Sequence, residues 1–99
     1  MMTIEKNRQG ATLTVMLDGR LDTVSAPDFE TIVKNELEGV ETFVLELKKL
    51  QYTSSAGLRV ILLAQKTMNK QGEMILKNVA EGVMEVFEMT GLADLLTIE

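Results

Sequence analysis

The sequence predicts an α/β domain with a mixed, mostly parallel sheet of four or five strands and helices packed against it. Short apolar runs, such as residues 43–47, alternate with longer runs in which apolar residues recur three and four positions apart, as at 57–70. Strands that alternate with helices are typical of parallel sheets. Only a turn separates the first two strand-like runs, which adds an antiparallel pair and makes the sheet mixed.

The composition indicates one globular domain and excludes several kinds of chemistry. The 99 residues are enough for a single core, so one domain over residues 1–99 is expected. The chain has no cysteine and no histidine, which removes thiol chemistry, the commonest general base and the commonest metal ligand. We therefore expect neither an enzyme nor a metal or cofactor site.

Charge and hydropathy indicate which partners to expect. The formal net charge is −5 and the basic residues are scattered, whereas nucleic-acid binding needs a clustered basic face. The first residues lack the apolar core of a signal peptide, and no apolar run approaches membrane-spanning length. The expectation is a soluble cytoplasmic protein that binds neither nucleic acid nor membrane, with a monomer as the default state.

The first two strands are predicted at residues 3–9 and 11–17, joined by a turn at Gly10. The first is polar and suits a sheet edge, while the second alternates polar and apolar residues. Residues 18–23 are predicted to be a polar connection that holds one buried residue, Leu21.

The first helix is predicted to begin at Ser25 and to end at Gly39. Ser25 suits an N-cap, Asp28 is the acidic partner three residues later, and Pro27 is tolerated in a first turn. A glycine is the usual residue just after a helix.

Three hydroxyl residues lie where the central helix begins. They are Thr53, Ser54 and Ser55, and the helical pattern then runs to about Lys70. Ser54 or Ser55 is the expected N-cap. Free amides and the positive end of a helix dipole also stabilise negative charge, so a serine here is either a cap only or a carrier of phosphate.

Asp22 has two interpretations. A short acidic residue before a helix can simply solvate a loop. Alternatively, it stands at the end of a strand, where ligands gather in open α/β sheets, and it meets the Ser55 loop.

The last third of the chain is predicted to hold a strand at 73–77, a third helix that ends at Gly91, and a short strand at 95–98. Val83, Val86 and Phe87 form the core side of that helix.

At four places the sequence resembles the STAS domain family, and within it the stand-alone bacterial anti-sigma factor antagonists. The matching segments follow the order found in the family and span most of the chain. They are residues 19–22 (Gly-Arg-Leu-Asp), 44–50 (Val-Leu-Glu-Leu-Lys-Lys-Leu), 52–60 (Tyr-Thr-Ser-Ser-Ala-Gly-Leu-Arg-Val) and 87–92 (Phe-Glu-Met-Thr-Gly-Leu).

The resemblance implies a STAS-like fold and a switch. Such proteins, when unphosphorylated, bind an anti-sigma factor that is often a serine kinase, and so free a sigma factor. Phosphorylation of a serine at the start of the central helix ends the binding, and a serine phosphatase restores it. The aligned acceptor is Ser55, with Ser54 as a rival because it replaces the usual aspartate, and Thr53 as a weaker one. Asp22 matches the acidic loop residue of the family. The residues implied to contact the partner are Asp22, Thr23, Thr53, Ser54, Ser55, Ala56, Gly57 and Arg59.

Two other functions stay open on the sequence. One is an accessory STAS subunit of a transport system, as in lipid-trafficking complexes or anion transporters. The other is an enzyme or small-ligand binder that uses a crevice between Asp22 and Ser55, although the chain has no histidine, cysteine or Walker-type glycine-rich loop.

Overall fold

The computed structural model describes residues 2–99 and has an α/β fold. Its elements follow one another along this part of the chain as β1 (Met2–Gln9), β2 (Thr12–Leu21), α1 (Ala26–Asn35), β3 (Thr42–Glu46), β4 (Leu50–Thr53), α2 (Ser55–Asn69), β5 (Glu73–Lys77), α3 (Glu81–Met89), a 3-10 turn (Leu92–Asp94) and β6 (Thr97–Ile98).

The sheet is mixed and mostly parallel, which confirms the predicted class. Its strand order is β1-β2-β3-β5-β6, and the β1–β2 pair is antiparallel while the others are parallel. The short strand β4 pairs in parallel with the end of β2. Gly19 pairs with Met2 on one edge of β2 and with Leu50 on the other, so β4 continues along the edge that β3 occupies earlier.

The strand β4 was not predicted as a separate strand, and it changes the description of residues 18–23. Because residues 19–21 pair with β4, β2 runs on to Leu21, and the predicted polar connection is wrong for most of its length. Leu21 itself is fully buried, as expected.

The prediction that Ser25 caps α1 through its side chain is wrong. Ser25 occupies the N-cap position, but its backbone is helical and its hydroxyl makes no capping bond. The hydroxyl instead accepts a hydrogen bond from the Asp22 N–H at 2.9 Å and donates to the Arg20 carbonyl at 2.7 Å. α1 ends at Asn35, so Gly39 lies in the turn that follows the helix rather than at its end.

The core lies between the sheet and the helices. In α1, Phe29, Ile32 and Val33 lie on one face of the helix and are buried. The core also includes strand and helix residues that alternate or recur as their elements require: Leu13, Val15, Leu17, Phe43, Leu45, Ile61, Ala64, Met68, Met74, Leu76, Val83 and Phe87.

The central helix ends close to the predicted position. After Asn69, the Gln71 side-chain amide donates to the carbonyls of Leu37 and Val40, at 2.6 Å each. A Cβ at Gly72 would overlap the backbone of Glu41, so the chain turns where only glycine fits. Among the helices of residues 2–99, none is both long enough and apolar enough to cross a bilayer.

Candidate functional site at the start of the central helix

The ends of β2 and β4 bring the Asp22 loop and the serine turn together. Leu21 pairs with Thr53, and the Ser54 N–H donates to the Leu21 carbonyl at 2.8 Å. Because parallel strands that pair in register end at the same edge of a sheet, Asp22 and Ser54 leave that edge side by side.

The three hydroxyl residues have different environments. Thr53 is only 4% exposed, and its hydroxyl donates to the Ser54 carbonyl at 3.2 Å. Ser54 is half-buried and is the N-cap, since its Oγ accepts from the Gly57 N–H at 3.4 Å. Ser55 is exposed and is the first residue of α2. The structure thus assigns the cap to Ser54 and leaves the Ser55 hydroxyl facing solvent.

The first turn of α2 can accept negative charge. The amides of Ser55 and Ala56 have no acceptor within residues 2–99, and the helix begins with the Leu58 N–H bonded to the Ser54 carbonyl at 3.0 Å. The first turn contains no acidic side chain. Unpaired amides at the positive end of a helix dipole stabilise an anion.

Gly57 fixes the helix start against both strands. A Cβ built on it would lie 2.5 Å from Thr53 Oγ1 and 2.6 Å from Leu21 Cγ, closer than non-bonded heavy atoms approach. Only glycine therefore fits at this position. Because it has no side chain, the backbone of α2 can contact the paired ends of β2 and β4.

Asp22 has a structural role that the loop interpretation did not include. Its Oδ1 accepts from the Ser25 N–H at 3.1 Å and the Val24 N–H at 3.0 Å. The pKa of Asp22 lies below the ordinary aspartate value, chiefly because of the Ser25 N–H. Partial burial opposes this shift, while the Val24 N–H and the Ser25 hydroxyl lower the pKa further. A carboxylate thus stands charged beside the serine turn at neutral pH.

A groove of about 590 Å³ runs between α1 and α2 and opens beside the serine turn. We refer to it as the α1–α2 groove. Its apolar lining comes from Ala26, Pro27, Ala56, Val60, Leu62 and Leu63. No local sequence pattern predicts this groove, because it depends on how α1 and α2 lie against each other.

Basic side chains border the α1–α2 groove. Arg59 and Lys66 are exposed on α2 and border it, and neither has an ion-pair partner within the described chain. On α1, Lys34 pairs with Glu30 at 3.1 Å. The spacing of Arg59 and Lys66, seven residues apart on one helix, is the signal in the sequence that could have pointed to this surface.

A further pair near the site was missed. The Arg20 guanidinium lies 4.2 Å from the centre of the Tyr52 ring, on neighbouring strands β2 and β4. A cation over an aromatic face is weakly attractive at an exposed site. Its two residues are far apart in sequence, so no local pattern reveals the pair.

The predicted site residues thus fall into three environments. Thr23, Ser55 and Arg59 are exposed; Asp22, Ser54 and Ala56 are half-buried; Thr53 and Gly57 are buried. Within residues 2–99, no three acidic side chains group closely enough to hold a metal ion.

The fold and the site define a small α/β module with an exposed serine at a helix start. The chain belongs to the STAS domain family, whose sequence model matches residues 3–99. The resemblance drawn from the four sequence segments is thereby confirmed.

The chain is similar to curated anti-sigma factor antagonists over nearly its whole length. It is 32% identical to BtrV of Bordetella bronchiseptica, whose name describes it as an anti-sigma factor antagonist, with 98% of this chain and 85% of BtrV covered. It is 26% identical to the anti-sigma-B factor antagonist of Staphylococcus aureus, with 98% and 92% covered.

Solved structures of this type share the fold. The chain superimposes on the Bacillus cell fate determinant SpoIIAA in its phosphorylated form with a TM-score of 0.76 at 20% identity, covering 100% of this chain and 91% of that one. The relatives are regulatory antagonists, and their names imply an anti-sigma factor as the class of partner.

Proposed function

We propose that this protein is an anti-sigma factor antagonist whose unphosphorylated form binds an anti-sigma factor with serine kinase activity and so frees a sigma factor. Phosphorylation of Ser55 ends the binding, and a serine phosphatase restores it. The protein acts as a cytoplasmic monomer and performs no catalysis of its own. The names of its relatives support the class of function.

The choice of Ser55 over Ser54 rests on the different environments of the two serine hydroxyls. The Ser54 hydroxyl is occupied by the Gly57 amide, whereas the Ser55 hydroxyl is exposed on the first residue of α2. A kinase must reach the hydroxyl that it modifies, which favours Ser55. The free amides of Ser55 and Ala56 support a phosphate there without unfolding of the helix.

Phosphate on Ser55 ends binding through its charge. It adds about −1.5 to −2 charges at neutral pH, next to the Asp22 carboxylate. A partner surface closed over a neutral hydroxyl then has to desolvate that charge and place it near like charge, at a cost of several kcal/mol. Since about 1.4 kcal/mol is tenfold in affinity, we expect a loss of roughly 100-fold or more.

The test is incubation with the anti-sigma factor kinase of the same organism and ATP, followed by mass spectrometry that maps the modified residue. We expect one phosphate on Ser55. Ser55→Ala is expected to bind the kinase and to remain unmodified. Ser54→Ala is the matched control, which loses about 1 kcal/mol of helix capping but is still phosphorylated. Stoichiometric phosphorylation of Ser55→Ala would refute the assignment.

A further inference from the structure

The α1–α2 groove has the shape and chemistry of a protein-binding surface. It combines an apolar lining with a volume of about 590 Å³ and lies open to solvent between two helices. It begins at the proposed switch, because Ala56 and Arg59, which follow Ser55 on α2, both line it. An occupant that fills this end of the groove would therefore lie close to Ser55.

The charge around the groove is opposite in sign to that of the whole protein. Three basic side chains and one acidic side chain line it, although the chain has a formal net charge of −5. Glu30 is already paired with Lys34. Arg59 and Lys66 are thus left with uncompensated positive charge beside apolar surface, a combination that favours an acidic and amphipathic occupant.

The spacing of these two cations favours a helix as the occupant. Arg59 and Lys66 are seven residues apart on α2, which places them on one face and roughly 10 Å apart along the axis. A second helix lying along α2 meets both cations if it carries carboxylates seven residues apart. Apolar residues between those carboxylates then reach Val60 and Leu63.

A small amphiphile matches the groove less well. It has a single charged group and would leave one of the two cations unmatched. Small-molecule sites also bury about 70–90% of their ligand, whereas this groove is not enclosed.

We propose that the α1–α2 groove binds an acidic amphipathic helix of the anti-sigma factor, with Arg59 and Lys66 pairing to carboxylates of that helix. This inference rests on the proposed function and specifies the partner surface. It adds Lys66, about three helical turns from Ser55, and further apolar lining residues such as Val60 and Leu63 to the partner-binding residues.

The groove also links phosphorylation to release. Ser55 and Arg59 are four residues apart on α2, so their side chains are neighbours on the helix surface. A phosphate on Ser55 gives Arg59 a partner within the same helix. It also places negative charge at the end of the groove, where it repels an acidic occupant.

The experiment compares two charge reversals on the same exposed face of α2. Lys66→Glu alters the groove, and Lys70→Glu makes the same change just beyond it, at the helix C-cap, where Lys70 does not line the groove. Affinity for the unphosphorylated protein is measured by isothermal titration calorimetry with the purified anti-sigma factor, at low and high salt. Circular dichroism checks that each variant is folded.

We expect Lys66→Glu to weaken binding about tenfold or more and to reduce its salt dependence, while Lys70→Glu stays within about threefold of the wild type. Reversal of a carboxylate on the partner helix should restore the affinity of Lys66→Glu.

The groove assignment alone would be overturned if Lys66→Glu and Lys70→Glu changed the affinity equally while the wild type still bound the anti-sigma factor and lost that binding on phosphorylation. Absence of wild-type binding to the anti-sigma factor would overturn the proposed function and this inference together. Decanoate binding in the groove, with unchanged partner affinity in Lys66→Glu, would assign the groove to a small amphiphile instead.

Discussion

Replacement of Gly57 by alanine should destabilise the protein, although alanine is the better helix former. The added Cβ would lie 2.5 Å from Thr53 Oγ1 and 2.6 Å from Leu21 Cγ, and both neighbours belong to paired and buried strand ends. Neither is the mobile end of a long side chain, so relief requires α2 to move away from the sheet.

The magnitude follows from two opposing contributions. Overpacking of a buried site costs about 1–3 kcal/mol. The gain from replacing glycine by alanine is about 1 kcal/mol in a helix interior and smaller in a first turn. The expected net loss is about 1–2 kcal/mol, which in a domain of this size lowers Tm by about 5–10 °C.

A matched substitution exists in the first turn of α3. A Cβ at Gly82 would meet no atom within 4 Å, and the residue is exposed. Gly82→Ala should therefore stabilise the protein by about 0.5–1 kcal/mol, because the added methyl group reduces the conformational entropy of the unfolded chain and meets no neighbour in the folded one. Thermal unfolding followed by circular dichroism measures both variants. An increase in Tm for Gly57→Ala of the size seen for Gly82→Ala would refute the argument from close packing.

Two further predictions concern the loop between β2 and α1. Ser25→Ala should lower the free energy of unfolding by about 1–3 kcal/mol in urea titrations, because it leaves the Asp22 N–H and the Arg20 carbonyl without their buried partner; an unchanged urea midpoint would contradict this. Because the pKa of Asp22 is lower in the folded state, its contribution to stability is fully present above the ordinary aspartate pKa and is lost as the pH falls through the folded value. In urea titrations from pH 7 down to pH 3, the free energy of unfolding should therefore decrease less below about pH 4 for Asp22→Asn than for the wild type. Parallel curves of this free energy against pH for the two proteins would contradict the prediction.

The start of α2 could be predicted because its signals are local. A cluster of hydroxyl residues directly before apolar residues spaced by three and four indicates a capped helix from a few adjacent positions. Only the choice between Ser54 and Ser55 as the cap needed the backbone geometry.

Other features depend on distant parts of the chain. The strand β4 has four residues, of which Gln51 and Tyr52 are exposed, so it has no clear alternation and exists because β2 continues beside it. Before α1, Asp22 Oδ1 accepts from the N–H groups of Val24 and Ser25, while the Asp28 N–H donates to the Ser25 carbonyl rather than to its hydroxyl. The capping-box pattern did not show that the Ser25 hydroxyl would turn back toward the Asp22 loop.

The close fit of Gly57 against Leu21 and Thr53 has a consequence for when the proposed modification can occur. A nascent or misfolded polypeptide carries the Ser55 hydroxyl but lacks the paired ends of β2 and β4 that lie beside it in the folded protein. A kinase that recognises Ser55 together with these strand ends would modify only protein that has already folded.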